Sequence, residues 1–408
     1  MGSAGAIGER TGPLRHLTVV DCTMALAGPY GTALLADLGA DVIKVEPPRG
    51  DGSRRTPPRV PDSAPPGAEK PAGVDFGGYF ASVNRNKRSI VLDLKDAGDR
   101  EAFLALTERA DAIVENMRDG VMDRLGVGYE TIRDRNPGIV YACIRGFGDR
   151  RTGTSPYVDR PAYDIVAQSM GGHVHITGPE GAGGVPAGAS VGDIFPGTLM
   201  ALGLVAAVVN AKETGVGQFL DVAMYDAVLA MSETVVCNYG FDRTELGARG
   251  AHHPNLMPFG LFRAADGGVA IAAPGPKHWT ALCEIMGRPD LIDEPRTRNT
   301  FVRRENQAFV EGEINAWTET LTRAEIVERL APHLPCGPVN RASDIFADPH
   351  VAARGMITEF ELPGDNPSVS IVGNPIKFTA TPSGFHRRPP LLGEHTDEVL
   401  EQFGIRRP

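Results

Sequence analysis

Paired cysteines are absent from this 408-residue chain: Cys22, Cys143, Cys237, Cys283 and Cys336 form no CxxC pair and keep no zinc-site spacing with histidine. They read as scattered thiols, most of them buried, and no metal site is expected. His252 and His253 are adjacent, so a strand would send them to opposite faces, which speaks against a metal pair. Basic charge is also short, 41 Lys and Arg against 51 Asp and Glu for a net charge of −10. A general nucleic-acid binder needs a basic face that releases counterions, so nucleic acid is not an expected partner, although a local basic pocket for a phosphorylated cofactor stays compatible. No apolar run reaches about 18 residues without polar interruption, and the N-terminal MGSAGAIGER has no apolar signal core. The expectation is a cytoplasmic protein without a membrane partner. No internal repeat is present, and the one low-complexity piece, Pro47 to Gly73, reads as a long surface loop.

What is present is ordinary globular composition, 42% apolar and 23% charged, in a chain long enough for two domains. LTVVDC (Leu17 to Cys22) is a nearly continuous apolar run, the pattern of a strand covered on both faces. The turn Ala27-Gly28-Pro29, a helix from about Tyr30 to Leu38, a stop at Gly39 and the strand DVIKVE follow. This is a βαβ unit and implies a doubly wound parallel sheet. Glu46 ends the second strand where a ribose-binding acid would sit, but the turn lacks the full GxGxxG, so dinucleotide binding is poorly supported.

NRNKRSIVLDLK (Asn84 to Lys95) places Arg85, Lys87 and Arg88 just before an alternating strand. They are either a solvated edge or partners for cofactor phosphates. A helix near Ala97 to Ala110, the strand DAIVEN, a short helix through Met122 and Leu125, and the strand IVYACIRG continue the alternation. Asn116, Met117, Arg118 and Arg124 follow a strand's carboxyl end, where open α/β sheets bind ligands. Two acids then stand at the starts of consecutive helices: Asp164 in PAYDIVAQSMGG and Asp193 in PAGASVGDIFPG. A lone Asp there is most often a cap, but small neighbours let a ligand approach, and a helix N-terminus favours an ionised, reachable carboxylate. Between them HVHITG reads as extended. The helix after Asp193 is apolar on nearly all sides and should be buried. QFLDVAM is a strand and about Tyr225 to Tyr239 a helix. Composition changes near Gly247. The hairpin LFRAADGGVAIAA and helical patterns near His278 to Met286 and Glu305 to Leu330 form a smaller α+β unit.

LLADLGADVIKVE, NRNKRSIVLDLK, DAIVENMRDGVMDRLG, GASVGD, TGVGQFLDVAMYDAVL and PPLLGEHTDEVL together resemble the class III CoA-transferases, the group of formyl-CoA transferase and carnitine CoA-transferase, over nearly the whole chain. The resemblance implies a Rossmann-like large domain, a smaller α+β domain and an interlocked homodimer whose isolated monomer is unstable. The implied boundaries are 14–222 for the large domain, 223–246 for a linker helix, 247–370 for the small domain and 371–408 for a return segment with a terminal helix. CoA is then a cosubstrate, with no tightly bound cofactor, and the other partners are an acyl-CoA and a free carboxylic acid.

The resemblance marks Asp193 as the nucleophile and places CoA along Leu26, Ala27, Leu92, Asp93, Leu94, Lys95, Asn116, Met117, Arg118 and Arg124. Asp164 joins the catalytic site by positioning substrate or Tyr163. Backbone N–H groups near Gly192 or Asp193 are the expected oxyanion donors. Tyr163, His252, His253 and Asn255 are candidate acyl-pocket residues, the last three with the alternative of ordering a linker. Clustered Arg49, Arg54 and Arg55 are candidates for the distal carboxylate of a dicarboxylic acid such as succinate. Leu26 and RGAHHPNLMPFG depart from the formyl/oxalate pattern and speak against that pair. A superfamily alternative is α-methylacyl-CoA racemase, which uses a His in a GHD motif and an acid 29 positions after that Asp. The spacing is kept here, 193 minus 164, but Tyr163 stands at the His position, and a phenol is a poor base near neutral pH. A catalytically silent acyl-CoA binding protein is the remaining alternative.

Overall fold

The computed structural model describes residues 11–59, 75–363 and 367–406, which divide into two compact units. The first unit holds the described residues up to His173, Ala187–Thr234 and Pro349 onward; the second holds Val174–Pro186 and Val235–Asp348. The second unit thus starts at Val235 rather than 247, also takes in Val174–Pro186, and ends before 370.

Six strands make the first unit's sheet: β1 (Thr18–Cys22), β2 (Asp41–Glu46), β3 (Arg88–Val91), β4 (Ala112–Glu115), β5 (Val140–Arg145) and β6 (Phe219–Ala223). The order is β3-β2-β1-β4-β5-β6 and every pairing is parallel. Because helices cover both faces, β2 and β5 are buried at every position, as near-continuous apolar strands must be. Val20↔Ile43 and Val20↔Ile113 are in register, so neighbouring side chains build one core layer from β1 outward. The strand order reverses between β1 and β4, the place where such sheets open a crevice at their carboxyl ends.

The basic cluster before β3 is neither a solvated edge nor a phosphate site. Arg85 is buried against Asp37, with Nη2 2.7 Å from Oδ2, and Arg88 against Asp41 at 2.6 Å. Lys87 donates to Asp21 Oδ2 and to the Pro29 carbonyl, both at 2.9 Å. Burial pulls the Lys87 ammonium down to about 8 while Asp21 opposes the shift. Arg54 is spent too: it donates to both oxygens of Glu46 at 2.6 and 2.7 Å and to Asp75. The surface loop expected from Pro47 is therefore folded inward at its start, where Asp51, Ser53 and Arg54 are buried. Its stretch from 60 to 73 lies outside the described residues.

The helix Val191–Thr214 is long and apolar enough by composition to cross a membrane, against the expectation that no such run exists. Met200, Leu204, Ala207 and Val208 pack it on the sheet, but only one face is covered: Leu202 is 67% and Val209 55% exposed. It meets the helix Ala27–Asp37 at two glycines. A Cβ on Gly31 would lie 2.4 Å from the Gly197 carbonyl oxygen, and one on Gly197 2.3 Å from that of Ala27, so neither position has room for a side chain. HVHITG forms a short helix at His173–Ile176 rather than an extended piece, and the helix expected from Tyr225 to Tyr239 divides into Met224–Met231 and Glu233–Asp242.

In the second unit β7 (Phe259–Ala264), β8 (Gly267–Ala272) and β9 (Cys336–Pro338) form an antiparallel sheet, with the hairpin turn at Asp266 as expected. Helices Pro276–Ile285, Gln307–Thr318 and Arg323–Leu330 supply Trp279, Ile314 and Leu330 to its core. Arg303 is buried there, donating to the carbonyls of Met257, Thr297 and Pro274 and standing 4.7 Å over the Trp279 ring.

Candidate active site

A cavity of about 540 Å³ opens at the carboxyl ends of β1, β4 and β5, where the strand order reverses. Each strand feeds it a short segment: Met24 to Ala27 after β1, Asn116 to Asp119 after β4, and Arg145 with Gly146 from β5. Arg124, the segment Val158 to Tyr163, Asp193 and Met224 complete it. A second cavity of about 150 Å³ is lined by Leu92, Asp93, Leu94 and Lys95. Met24 and Met117 line both, so the two are neighbouring parts of one groove along the sheet edge. Sequence reading and structure thus bring Leu26, Ala27, Asn116, Met117, Arg118, Arg124, Tyr163 and Asp193 to one cavity and Leu92 to Lys95 to the adjoining one.

Asp193 lies in the first turn of the helix Val191–Thr214, and no hydrogen-bond donor reaches its carboxylate among the described residues. Burial and then the neighbouring charge of Asp164 push its carboxyl up to about 7. The sequence expectation of an ordinary, ionised carboxylate at a helix N-terminus is corrected here. The dipole of the first turn is outweighed by lost solvation and a like charge.

The turn that presents Asp193 is held by a relay the sequence reading missed. Gln168, fully buried, donates from Nε2 to both oxygens of Asp164 at 3.0 and 2.8 Å, and its Oε1 accepts from the Ala187 N–H at 2.9 Å. Asp164 Oδ1 in turn accepts from the Gly192 N–H at 2.7 Å. Gln168 stands one helical turn after Asp164, an i,i+4 spacing that was readable. This geometry makes Asp164 a holder of the Asp193 turn. It also corrects the expected oxyanion donors: the Gly192 N–H is taken by Asp164 and the Asp193 N–H by the Ser190 carbonyl. Ala27 lines the same cavity, and its N–H, in the first turn of its own helix, has no intrahelical acceptor.

Other linings are committed to the scaffold. Asn116 exchanges two hydrogen bonds of 2.8 Å with the Met24 backbone, which latches the segment after β1. Arg145 pairs with Glu115 at 2.6 Å, with Asp119 at 3.1 Å and with Asp149. Burial pushes the Glu115 carboxyl up to about 7 although Arg145 opposes it. Arg118, Arg124 and Arg160 line the cavity with no carboxylate paired to them among the described residues, and Arg160 was not foreseen. Tyr163 is 74% exposed at the cavity rim.

His252, His253 and Asn255 belong to the second unit, where each has a local partner. His252 Nε2 lies 3.3 Å from Glu311 and its ring meets Phe262 edge-on; burial lowers its basicity. The His253 ring stacks on Phe259 at 5.1 Å and its Nδ1 accepts from the Asn255 N–H. These contacts order the segment. No group of three or more His, Cys, Asp or Glu among the described residues could hold a metal.

The family model described as CoA-transferase family III matches residues 14–396. The chain is 45% identical over 395 residues to the succinyl-CoA:mesaconate CoA-transferase of Haloarcula hispanica, covering 97% of each. It is 33% identical to the succinate–glutarate CoA-transferase of Agrobacterium fabrum, covering 97% of this chain and 96% of that one. A crystal structure of a CaiB/BaiF family protein from Brucella suis superposes with a TM-score of 0.84 at 32% identity, over 96% of this chain and all of that one.

Proposed function

This chain belongs to CoA-transferase family III, and from that premise we propose that it moves CoA from an acyl-CoA donor to a free carboxylic acid by covalent catalysis at Asp193. The observation that carries this is the unpaired, half-buried carboxylate in a cavity shared with Leu26, Ala27, Asn116 and Arg118. Poor solvation leaves its electron pairs less stabilised than in water, so the ionised form is a better nucleophile than an exposed Asp.

The Asp193 carboxylate attacks the thioester carbonyl, the C–S bond breaks and CoA leaves as the thiolate. The product is an anhydride between Asp193 and the donor acyl group. The thiolate attacks the aspartyl carbonyl, frees the donor carboxylate and leaves an aspartyl-CoA thioester. The acceptor carboxylate then displaces CoA from the aspartyl carbonyl, and the thiolate attacks the acceptor's acyl carbon, which releases the new acyl-CoA and restores Asp193. No proton is gained or lost over the cycle. The Ala27 N–H, left without an intrahelical acceptor, is the donor we assign to the oxyanion of the tetrahedral states. Arg118, Arg124 and Lys95 supply cations for CoA phosphates.

The named activities of the relatives, succinyl-CoA with mesaconate and succinate with glutarate, support dicarboxylic acids as its substrates. The racemase reading gains nothing from the cavity, where Tyr163, a poor base near neutral pH, stands at the position of the GHD histidine. A homodimer accords with the exposed apolar face of the helix Val191–Thr214, which a second copy would cover.

Incubation with succinyl-CoA and hydroxylamine tests the reading by mass spectrometry of the Asp193 peptide. A hydroxamate is expected at Asp193, and Asp193→Asn should lower transfer about 10³-fold or more. An unmodified peptide together with an active Asn variant would overturn it.

A further inference from the structure

Resting on the reading that Asp193 carries CoA between two acids, we propose that Arg160 selects acids with a second carboxylate by binding that distal group. Arg145 at the end of β5, with Arg150, Arg151 and Arg160 after it, are the four arginines from there to the helix Asp164–Met170. Three of them are spent. Arg145 is held by Glu115 and Asp119, Arg150 by Asp119 and Asp159, and Arg151 by Glu130 and Asp123. Arg160 has no such partner among the described residues. Its guanidinium sits 4.3 Å from the Tyr157 ring centroid, and Tyr157 meets Phe147 edge-on at 5.5 Å. An aromatic seat fixes the cation without neutralising it and leaves the edge of its fork free for a carboxylate.

Position argues for the acyl end of the groove. Met117 and Met24 join the main cavity to the one lined by Leu92 to Lys95, so Arg118 and Arg124 follow the β4 side, toward that second cavity. Arg160 is on the segment that follows β5 and is three residues from Tyr163. The next residue, Asp164, holds the turn of Asp193. A free cation lining the same cavity as the attacking carboxylate would pair with the far end of a dicarboxylate and offer nothing to a monocarboxylate. Arg54, one of the three earlier candidates for this task with Arg49 and Arg55, is buried on Glu46.

The test compares succinate with butyrate as acceptors from acetyl-CoA, using wild type, Arg160→Gln and Arg160→Lys, with desulfo-CoA as a competitive probe of the CoA site. The Gln variant should lose roughly 10- to 100-fold of the kcat/KM preference for succinate over butyrate, with desulfo-CoA inhibition unchanged and the Lys variant in between. Equal losses for both acids, or weakened desulfo-CoA inhibition with the preference intact, would overturn the proposal, the second result placing the cation on a CoA phosphate. Absence of transfer by wild type from both acetyl-CoA and succinyl-CoA overturns the functional reading along with this one. An active wild type whose preference survives in the Gln variant overturns this one alone.

Discussion

At Asp193, two causes raise the carboxyl to about 7, burial first and the charge of Asp164 second. Transfer needs the ionised form, so kcat/KM should rise about tenfold per pH unit below 7 and level off above it. Asp164→Asn removes the like charge but keeps an oxygen for the Gly192 N–H. The midpoint of the pH profile should therefore move to lower pH, by about one unit, as measured from initial rates between pH 5 and 9. A midpoint that stays put would mean burial alone sets the acidity. Residues of this kind were half legible. Small neighbours and a helix start marked Asp193, but its acidity depends on Asp164, and the hydrogen bond linking Asp164 to the Asp193 turn spans 28 positions.

The crossing of Ala27–Asp37 with Val191–Thr214 sets the site at the scale of elements. Both helices bring their first turns to the cavity, and Gly31 and Gly197 let their backbones touch just inside those turns. Gly197→Ala should cost about 1 to 3 kcal/mol, read as a lower thermal midpoint, and should slow transfer by shifting the helix that carries Asp193. A variant as stable and active as wild type would show that the crossing can loosen. Strand identity was plain in the sequence because TVVDC and DVIKVE are buried on both faces. The charges near β3 were not, because Arg85, Lys87 and Arg88 find their partners 48, 66 and 47 residues away. Pairing at that separation carries no local pattern, so a buried ion pair and a phosphate site look alike. HVHITG misled for a simpler reason: four helical residues are too few to show a period.

At the scale of the whole molecule, the chain passes between its two units four times, after His173, Pro186, Thr234 and Asp348. The helix Val191–Thr214 leaves Leu202 and Val209 in solvent, although its hydropathy suits full burial. Light scattering should give twice the chain mass, and Leu202→Glu should shift that value toward one chain. A wild-type value of one chain would leave the apolar face without its proposed cover. The sequence's own reading of that helix, buried on every side, came from composition alone, which does not say whether the covering atoms belong to the same chain.

The two facing glycines also decide which wall of the cavity can yield. Where main chain rests on main chain there is no side chain to swing aside, so Asp193 and Ala27 keep a fixed separation. Another part of the lining, Val158 to Tyr163, is irregular backbone with an exposed tyrosine at its end. Any give that a bulky thioester demands therefore falls on that rim, and the reacting carboxylate stays put.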